Sequence, residues 1–359
     1  MLWQVSGWLG GEYPSCCRLY WRITVGYAKS YHSYGAPAPF EDSCSAAIFF
    51  ILIIIIFYIL RRICKLKNPI FTGAATAIVT PLTKDGIDYE QFARLIEWQI
   101  SQGISAIVAV GTTGEGSTLT DAEHKEAIKF CVDQVAGRVP VIAGTGSNDT
   151  AYAIELTKFS CKVGADAMLL VTPYYNKATQ KGLIESFKAI ADESTKPCIL
   201  YNVPSRTGCN LLPESVAALA DHPNIVGIKE ASGNISQVAE LCALVGDKIA
   251  VYSGNDDQIV PILSLGGVGV ISVLSNIMPK ETQKMCDDYM AGRVNEARDA
   301  QLKLLPLINA LFCEVNPIPV KAAVSAMGYC ENYLRLPLTP MEPEHEEKLL
   351  ALMKKENLI

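Results

Sequence analysis

The chain is poor in the residues that most metal and redox chemistry requires. Only four histidines occur, His32, His124, His222 and His345, and none is spaced HxH or HxxxH. A zinc-type ligand pair cannot be built from that spacing. Twelve cysteines are present, but beyond residue 69 they stand singly, at Cys131, Cys161, Cys198, Cys209, Cys242, Cys286, Cys313 and Cys330, with no CxxC pair. Such scatter gives poor support to a disulfide framework and suits reduced thiols in the cytoplasm. Positive charge is short as well. Lys plus Arg number 31 against 37 Asp plus Glu, a net charge of -6, so there is no broad basic surface for nucleic acid. What the chain does have is apolar bulk: half of its 359 residues are hydrophobic, enough to bury a large core.

Residues 1–65 differ in kind from the rest. They hold Trp3, Trp8 and Trp21, three of the four tryptophans, together with the pair Cys16 and Cys17 and few charges. Ala46 to Leu60 is an unbroken apolar run of 15, slightly short for a membrane helix, and Arg61, Arg62, Lys65 and Lys67 follow it. A secretory leader has its charges before the apolar stretch and a small-residue cleavage site after it, and this segment has neither. Three readings stay open: translated sequence upstream of a natural start near Leu66, a membrane anchor, or a cleaved targeting segment. If the run inserts, the positive charges after it keep the remainder in the cytoplasm.

From Ala75 onward, short β-branched and apolar runs recur, separated by helical stretches that end near a glycine. The runs are Ala75 to Val79, Ala106 to Val110, Val141 to Ala143, Ala167 to Val171, Cys198 to Tyr201, Ile225 to Ile228, Ile249 to Tyr252 and Val268 to Val273. Eight strand signals alternating with helices predict a closed (β/α)8 barrel over residues 69–280. Asp88 to Gln102 reads as one such helix, with Tyr89, Phe92, Leu95 and Ile96 on one face. Thr120 with Glu123 reads as the start of the next. After Pro279 the strand signal stops, so residues 281–359 are expected to form a helical extension broken near Asn316-Pro317-Ile318-Pro319 and Leu336-Pro337.

A barrel of this kind puts its chemistry on the loops at the C-terminal ends of the strands. Four motifs fall there. Lys229 ends an apolar run; an amine with an ordinary pKa is only on the order of 0.1% neutral at neutral pH, so a nucleophilic role needs desolvation or a nearby cation. The blander alternative is a surface lysine paired with Glu230. Gly111-Thr112-Thr113-Gly114-Glu115-Gly116 is a glycine-rich turn without the Gly-Lys-Ser/Thr ending of a phosphate loop, better suited to a carboxylate. Tyr201 stands at a strand end with Arg206 in the loop after it, a phenol able to move protons and a guanidinium able to grip a carboxylate. Tyr174 and Tyr175 are adjacent, so both cannot enter one core, and one of them must face a cavity or a partner.

Taken together, GTTGEG, TPYYN, YNVPSRTG, GIKEAS, SGNDD and GVISVLSN, in this order, closely resemble the dihydrodipicolinate synthase family from about Pro69 to Ile359. The resemblance implies a lyase of lysine (diaminopimelate) biosynthesis. Lys229 would form a Schiff base with pyruvate, Thr112 and Thr113 would hold its carboxylate, and Gly254 and Ile271 would line the pocket. Tyr201 would relay protons, linked through Thr112 to Tyr175 of a neighbouring subunit. Arg206 would bind the carboxylate of the second substrate, L-aspartate 4-semialdehyde. No metal or organic cofactor is implied, since the protonated imine is itself the electron sink. A dimer would be the smallest active unit and a homotetramer the expected assembly.

The family's lysine-feedback site would use His124, Asn148 and Tyr174. Tyr152 stands where feedback-sensitive members carry glutamate, and Asp121 where some carry histidine, so weak or no feedback is expected. Two alternatives remain beside this reading: a pyruvate-dependent sugar-acid aldolase such as an N-acetylneuraminate lyase, and a catalytically silent, membrane-tethered scaffold.

Overall fold

The computed structural model describes residues 68–359; the apolar run 46–60 and the readings built on it lie outside that range. Among the described residues, no helix is long and apolar enough to cross a membrane.

Eight parallel strands close on themselves: β1 (Gly73–Ala77), β4 (Ala106–Ala109), β5 (Val141–Gly144), β6 (Ala167–Val171), β7 (Cys198–Asn202), β8 (Ile225–Glu230), β9 (Ala250–Ser253) and β10 (Gly269–Ser272), with β10 paired back to β1. The fold is a (β/α)8 barrel, as the eight-fold rhythm implied. Strands covered on both faces read as continuous apolar runs, which is why the sequence marks them so clearly. Alternate side chains then go to different places. Ala75, Val108, Ile142, Leu169, Ile199, Tyr201 and Ile271 pack with each other inside the barrel. Ala74, Ile107, Ala143, Leu200 and Ile228 pack outward against the helices. Phe71, just before β1, stacks on Tyr252 at 4.4 Å and accepts its hydroxyl hydrogen at 3.0 Å through the backbone carbonyl, closing the floor beneath the site.

The outer helices are α1 (Tyr89–Ser101), α2 (Asp121–Val135), α3 (Thr150–Val163), α4 (Gln180–Asp192), the short α5 (Pro204–Thr207), α6 (Pro213–Leu219), α7 (Ile235–Val245) and α8 (Ile259–Ser264). Asp88 caps α1 by accepting from the Gln91 amide, and Thr120 with Glu123 forms the reciprocal capping box of α2. Past the barrel come α9 (Pro279–Met290), α10 (Val294–Ala310), α11 (Ile318–Ala326) and α12 (Pro343–Lys355).

Two local expectations shift. The first strand lies two residues earlier than the run Ala75 to Val79, because the ladder gives out past Ile78: the Ile78 amide still donates to the Val108 carbonyl at 3.2 Å, but the Val79 amide donates to Asn276 Oδ1 at 3.0 Å. A two-stranded hairpin, β2 (Leu82–Thr83) with β3 (Gly86–Ile87), follows β1 and is too short to leave a periodic signal.

Candidate active site

Lys229 is the last residue but one of β8 and pairs in register with Tyr201 on β7. Strand alternation turns both inward, and the amine sits 4.4 Å from the centroid of the Tyr201 ring. The lysine is 5% exposed. Among the described residues no carboxylate lies within 4.0 Å of its amine, so the surface pairing with Glu230 does not occur. Glu230 turns to the other face, where it is buried and accepts from the Ser232 amide at 2.6 Å and the Asn202 side chain at 3.1 Å. Burial pushes its carboxyl above the ordinary carboxylate range, against the pull of those donors.

The space for the lysine is made by a glycine. A Cβ on Gly254 would lie 2.6 Å from the Ala231 side chain and 3.1 Å from Lys229 Cε and Cγ. The next acidic residue, Asp256, is buried and accepts from the Val273 and Leu274 amides at 3.0 and 2.9 Å, fixing the turn after β10. Burial raises its carboxyl, while Ser272, those two amides and the nearby Lys229 oppose the rise.

The glycine-rich turn swings over the barrel mouth from β4. Val110 adopts φ 54°, a left-handed conformation that a β-branched residue rarely takes. A Cβ on Gly144 would lie 2.4 Å from the Val110 carbonyl oxygen, so glycine there is what lets the turn pass. Thr112 and Thr113 thereby line a cavity of about 140 Å³ with Tyr201, Arg206, Lys229 and Gly254. Arg206 reaches it from α5, a single helical turn where a loop was expected. Ile271 is not at the cavity wall but buried in the barrel interior below it.

Sequence reasoning missed three contributors, all reached from the C-terminal region. Asn316 lines the same cavity; its side-chain amide donates to Thr113 Oγ1 at 3.0 Å, and its carbonyl accepts from Arg206 Nη2 at 3.1 Å. Lys321 on α11 is fully buried and forms an ion pair with Glu115 at 2.7 Å, short of an aligned hydrogen bond, while donating to the Thr80 carbonyl at 2.6 Å. Arg335 grips Glu123 through its two terminal guanidinium nitrogens, at 2.7 and 2.5 Å. That grip holds the Glu123 carboxyl down to about 2.

A second cavity, about 280 Å³, adjoins the first and shares Gly111, Thr112, Tyr201 and Arg206 with it. His124, Tyr152 and Tyr174 face this second space. His124 is buried with Nε2 at 2.9 Å from the Gly144 carbonyl, which makes it a donor there, and burial lowers its pKa. Asn148 does not line either cavity; its carbonyl accepts from the Asn176 side chain at 2.9 Å. Tyr175 joins neither. It is 91% exposed on a backbone of φ 71°.

An enclosed lysine at the C-terminal mouth of a barrel, with a phenol beside it and hydroxyls and a guanidinium around it, defines the class of imine-forming aldolase sites. The Dihydrodipicolinate synthetase family model matches residues 70–356, and the chain belongs to that family. The 4-hydroxy-tetrahydrodipicolinate synthase of Clostridium tetani is 56% identical over 288 residues, which is 80% of this chain and 97% of the relative. Among solved structures, the chloride-inhibited dihydrodipicolinate synthase of Acinetobacter baumannii complexed with pyruvate is 47% identical with a TM-score of 0.79, covering 80% of this chain and 99% of that one. The Cyanidioschyzon merolae synthase with lysine bound is 41% identical with a TM-score of 0.78, covering 81% and 100%.

Proposed function

We propose that the chain catalyses the 4-hydroxy-tetrahydrodipicolinate synthase reaction, the condensation of pyruvate with L-aspartate 4-semialdehyde, in the cytoplasm. The observation that carries this reading is the Lys229 amine, enclosed and 4.4 Å from the Tyr201 ring, in one cavity with Thr112, Thr113 and Arg206. The amine attacks the keto carbon of pyruvate and the carbinolamine loses water, with Tyr201 passing the protons. The imine nitrogen then accepts the electron pair left when a methyl proton departs, giving an enamine. Its carbon attacks the aldehyde, the new C–C bond forms, and the aldehyde oxygen takes up a proton. Ring closure by the substrate's own amino group expels Lys229.

Thr112 and Thr113 hold the keto-acid carboxylate, Gly254 shapes the space around the imine while the buried Ile271 packs in the barrel interior, and Arg206 grips the carboxylate of the aldehyde. Tyr175 acts in a second copy. It is exposed here, and the 280 Å³ cavity beside Thr112 offers a place for the tyrosine of a neighbour. We therefore assign at least a dimer, and a homotetramer as a dimer of dimers. His124, Asn148 and Tyr174 belong to the lysine-responsive surface. Asp121 is tied to Lys125 at 2.8 Å, and Tyr152 stands in place of the glutamate of feedback-sensitive members, so inhibition by lysine is weak or nil.

Arg206 is what favours the semialdehyde over a sugar aldehyde, because a guanidinium fork matches a carboxylate and not a polyol. The test is turnover with pyruvate and each aldehyde in turn. Condensation with L-aspartate 4-semialdehyde and little with N-acetylmannosamine is expected; the reverse preference would make the chain a sugar-acid aldolase.

A further inference from the structure

We propose that Asn316 is a positioning residue that aims the Thr113 hydroxyl at the carboxylate of the keto acid, an inference resting on the reading of Thr112 and Thr113 as carboxylate holders. Asn316 and Thr113 are 5% and 3% exposed, and Asn316 Nδ2 lies 3.0 Å from Thr113 Oγ1. An amide nitrogen only donates, so the hydroxyl accepts from it and has its single hydrogen left to give elsewhere. The carboxylate site in the cavity is then the natural acceptor. Were the amide turned over, its carbonyl would take up that hydrogen, and the threonine would present lone pairs to an anion.

The backbone that carries the asparagine is held in place. Its own carbonyl accepts from Arg206 Nη2 at 3.1 Å. Just after it, Lys321 pairs with Glu115 at 2.7 Å and donates to the Thr80 carbonyl at 2.6 Å. Thr80 Oγ1 in turn donates to the Gly114 carbonyl at 2.7 Å, so the segment is fixed twice against the turn that carries Thr113. Asn316 Oδ1 is buried with no partner, a cost that an asparagine serving only to fill space has no reason to carry. One residue thus touches both anion-binding groups, the Thr113 hydroxyl by its side chain and the Arg206 guanidinium by its backbone.

The test is borohydride trapping of the full chain with pyruvate alone, so that no aldehyde chemistry intrudes, titrating pyruvate for the native chain, Asn316→Ala, Asn316→Asp and Thr113→Val. Asn316→Ala should raise the half-saturating pyruvate concentration about tenfold, the size of one charge-assisted hydrogen bond. Asn316→Asp should raise it further, about a hundredfold, because a carboxylate captures the Thr113 hydrogen and repels the substrate. Aspartate nearly matches asparagine in shape, so a packing role would give the opposite order. In a Thr113→Val background, Asn316→Ala should add little, since the contact is already gone. An Asn316→Asp curve superposed on the native one, or full additivity of the double variant, would overturn the proposal while leaving the pyruvate reading intact. A native chain that forms no pyruvate adduct would overturn that underlying reading, and this proposal with it.

Discussion

The strand wall and the C-terminal wall of the cavity are built by different means. Lys229 and Tyr201 sit opposite each other in adjoining strands of a closed ladder, so their relative position is set by backbone hydrogen bonds on both sides. Thr112 and Thr113 ride on an irregular turn, and that turn is held from α11 and its flanks: by the side chains of Asn316 and Lys321, and by Arg335, whose backbone amide donates to Glu115 and whose guanidinium donates to the Thr118 carbonyl. The proposed nucleophile is thus placed where the backbone has least freedom, and the proposed anion-binding turn where distant side chains set the geometry. The connection between α10 and α11, which carries Phe312 and Asn316, is a wall of the cavity.

The sharpest break of that contrast is at the nucleophile. Lys229→Gln should lower turnover by at least about a thousandfold, because no other group can form the imine. The fold should survive, since the strand ladder does not depend on that side chain, and turnover measured beside thermal unfolding checks both halves.

On the opposite wall, stability and not chemistry should be lost first. Lys321→Met leaves Glu115 buried and unpaired, an expected loss of about 3–5 kcal/mol in denaturant unfolding. Joining it to Glu115→Leu should recover most of that loss, because an apolar pair replaces a buried ion pair at little net cost.

Gly254→Ala tests the strand wall by crowding. The added methyl would press on Ala231 and on the Lys229 side chain, at 2.6 and 3.1 Å, so imine formation should slow about tenfold to a hundredfold. Single-turnover trapping reads that rate directly.

The smallest effect is the most informative about pH. Arg335 holds the Glu123 carboxyl at about 2 in the folded chain, below its ordinary 4.5. The unfolded chain therefore takes up the proton first as pH falls. The contribution of the pair is whole above about pH 4.5 and drains away toward pH 2. Arg335→Gln should cost about 1 kcal/mol at neutral pH, and the gap from the native chain should close below pH 4.5 in a series of urea unfolding curves.

The same contrast explains what the sequence discloses. All eight barrel strands are legible because a strand buried on both faces is an uninterrupted apolar run. Lys229, Tyr201, Thr112, Thr113 and Arg206 are legible because each closes or follows its strand in a short contiguous motif. Asn316 and Lys321 are not: their partners Thr113 and Glu115 lie far away along the chain, and locally they are only a proline-broken helix start and one lysine in an apolar helix. Asn316-Pro317-Ile318-Pro319 reads as a break, and its chemistry emerges only when the barrel brings it over the threonine turn. On the reading proposed above, Tyr175 is a related case, its reach being set by a second chain and not by its own neighbours.

Reduction with borohydride in the presence of pyruvate, followed by peptide mapping, tests the central claim most directly. A single pyruvyl adduct on the peptide that contains Lys229 is the expected result. No adduct, or one carried by the peptide of Lys321, the other deeply buried lysine among the described residues, would contradict it.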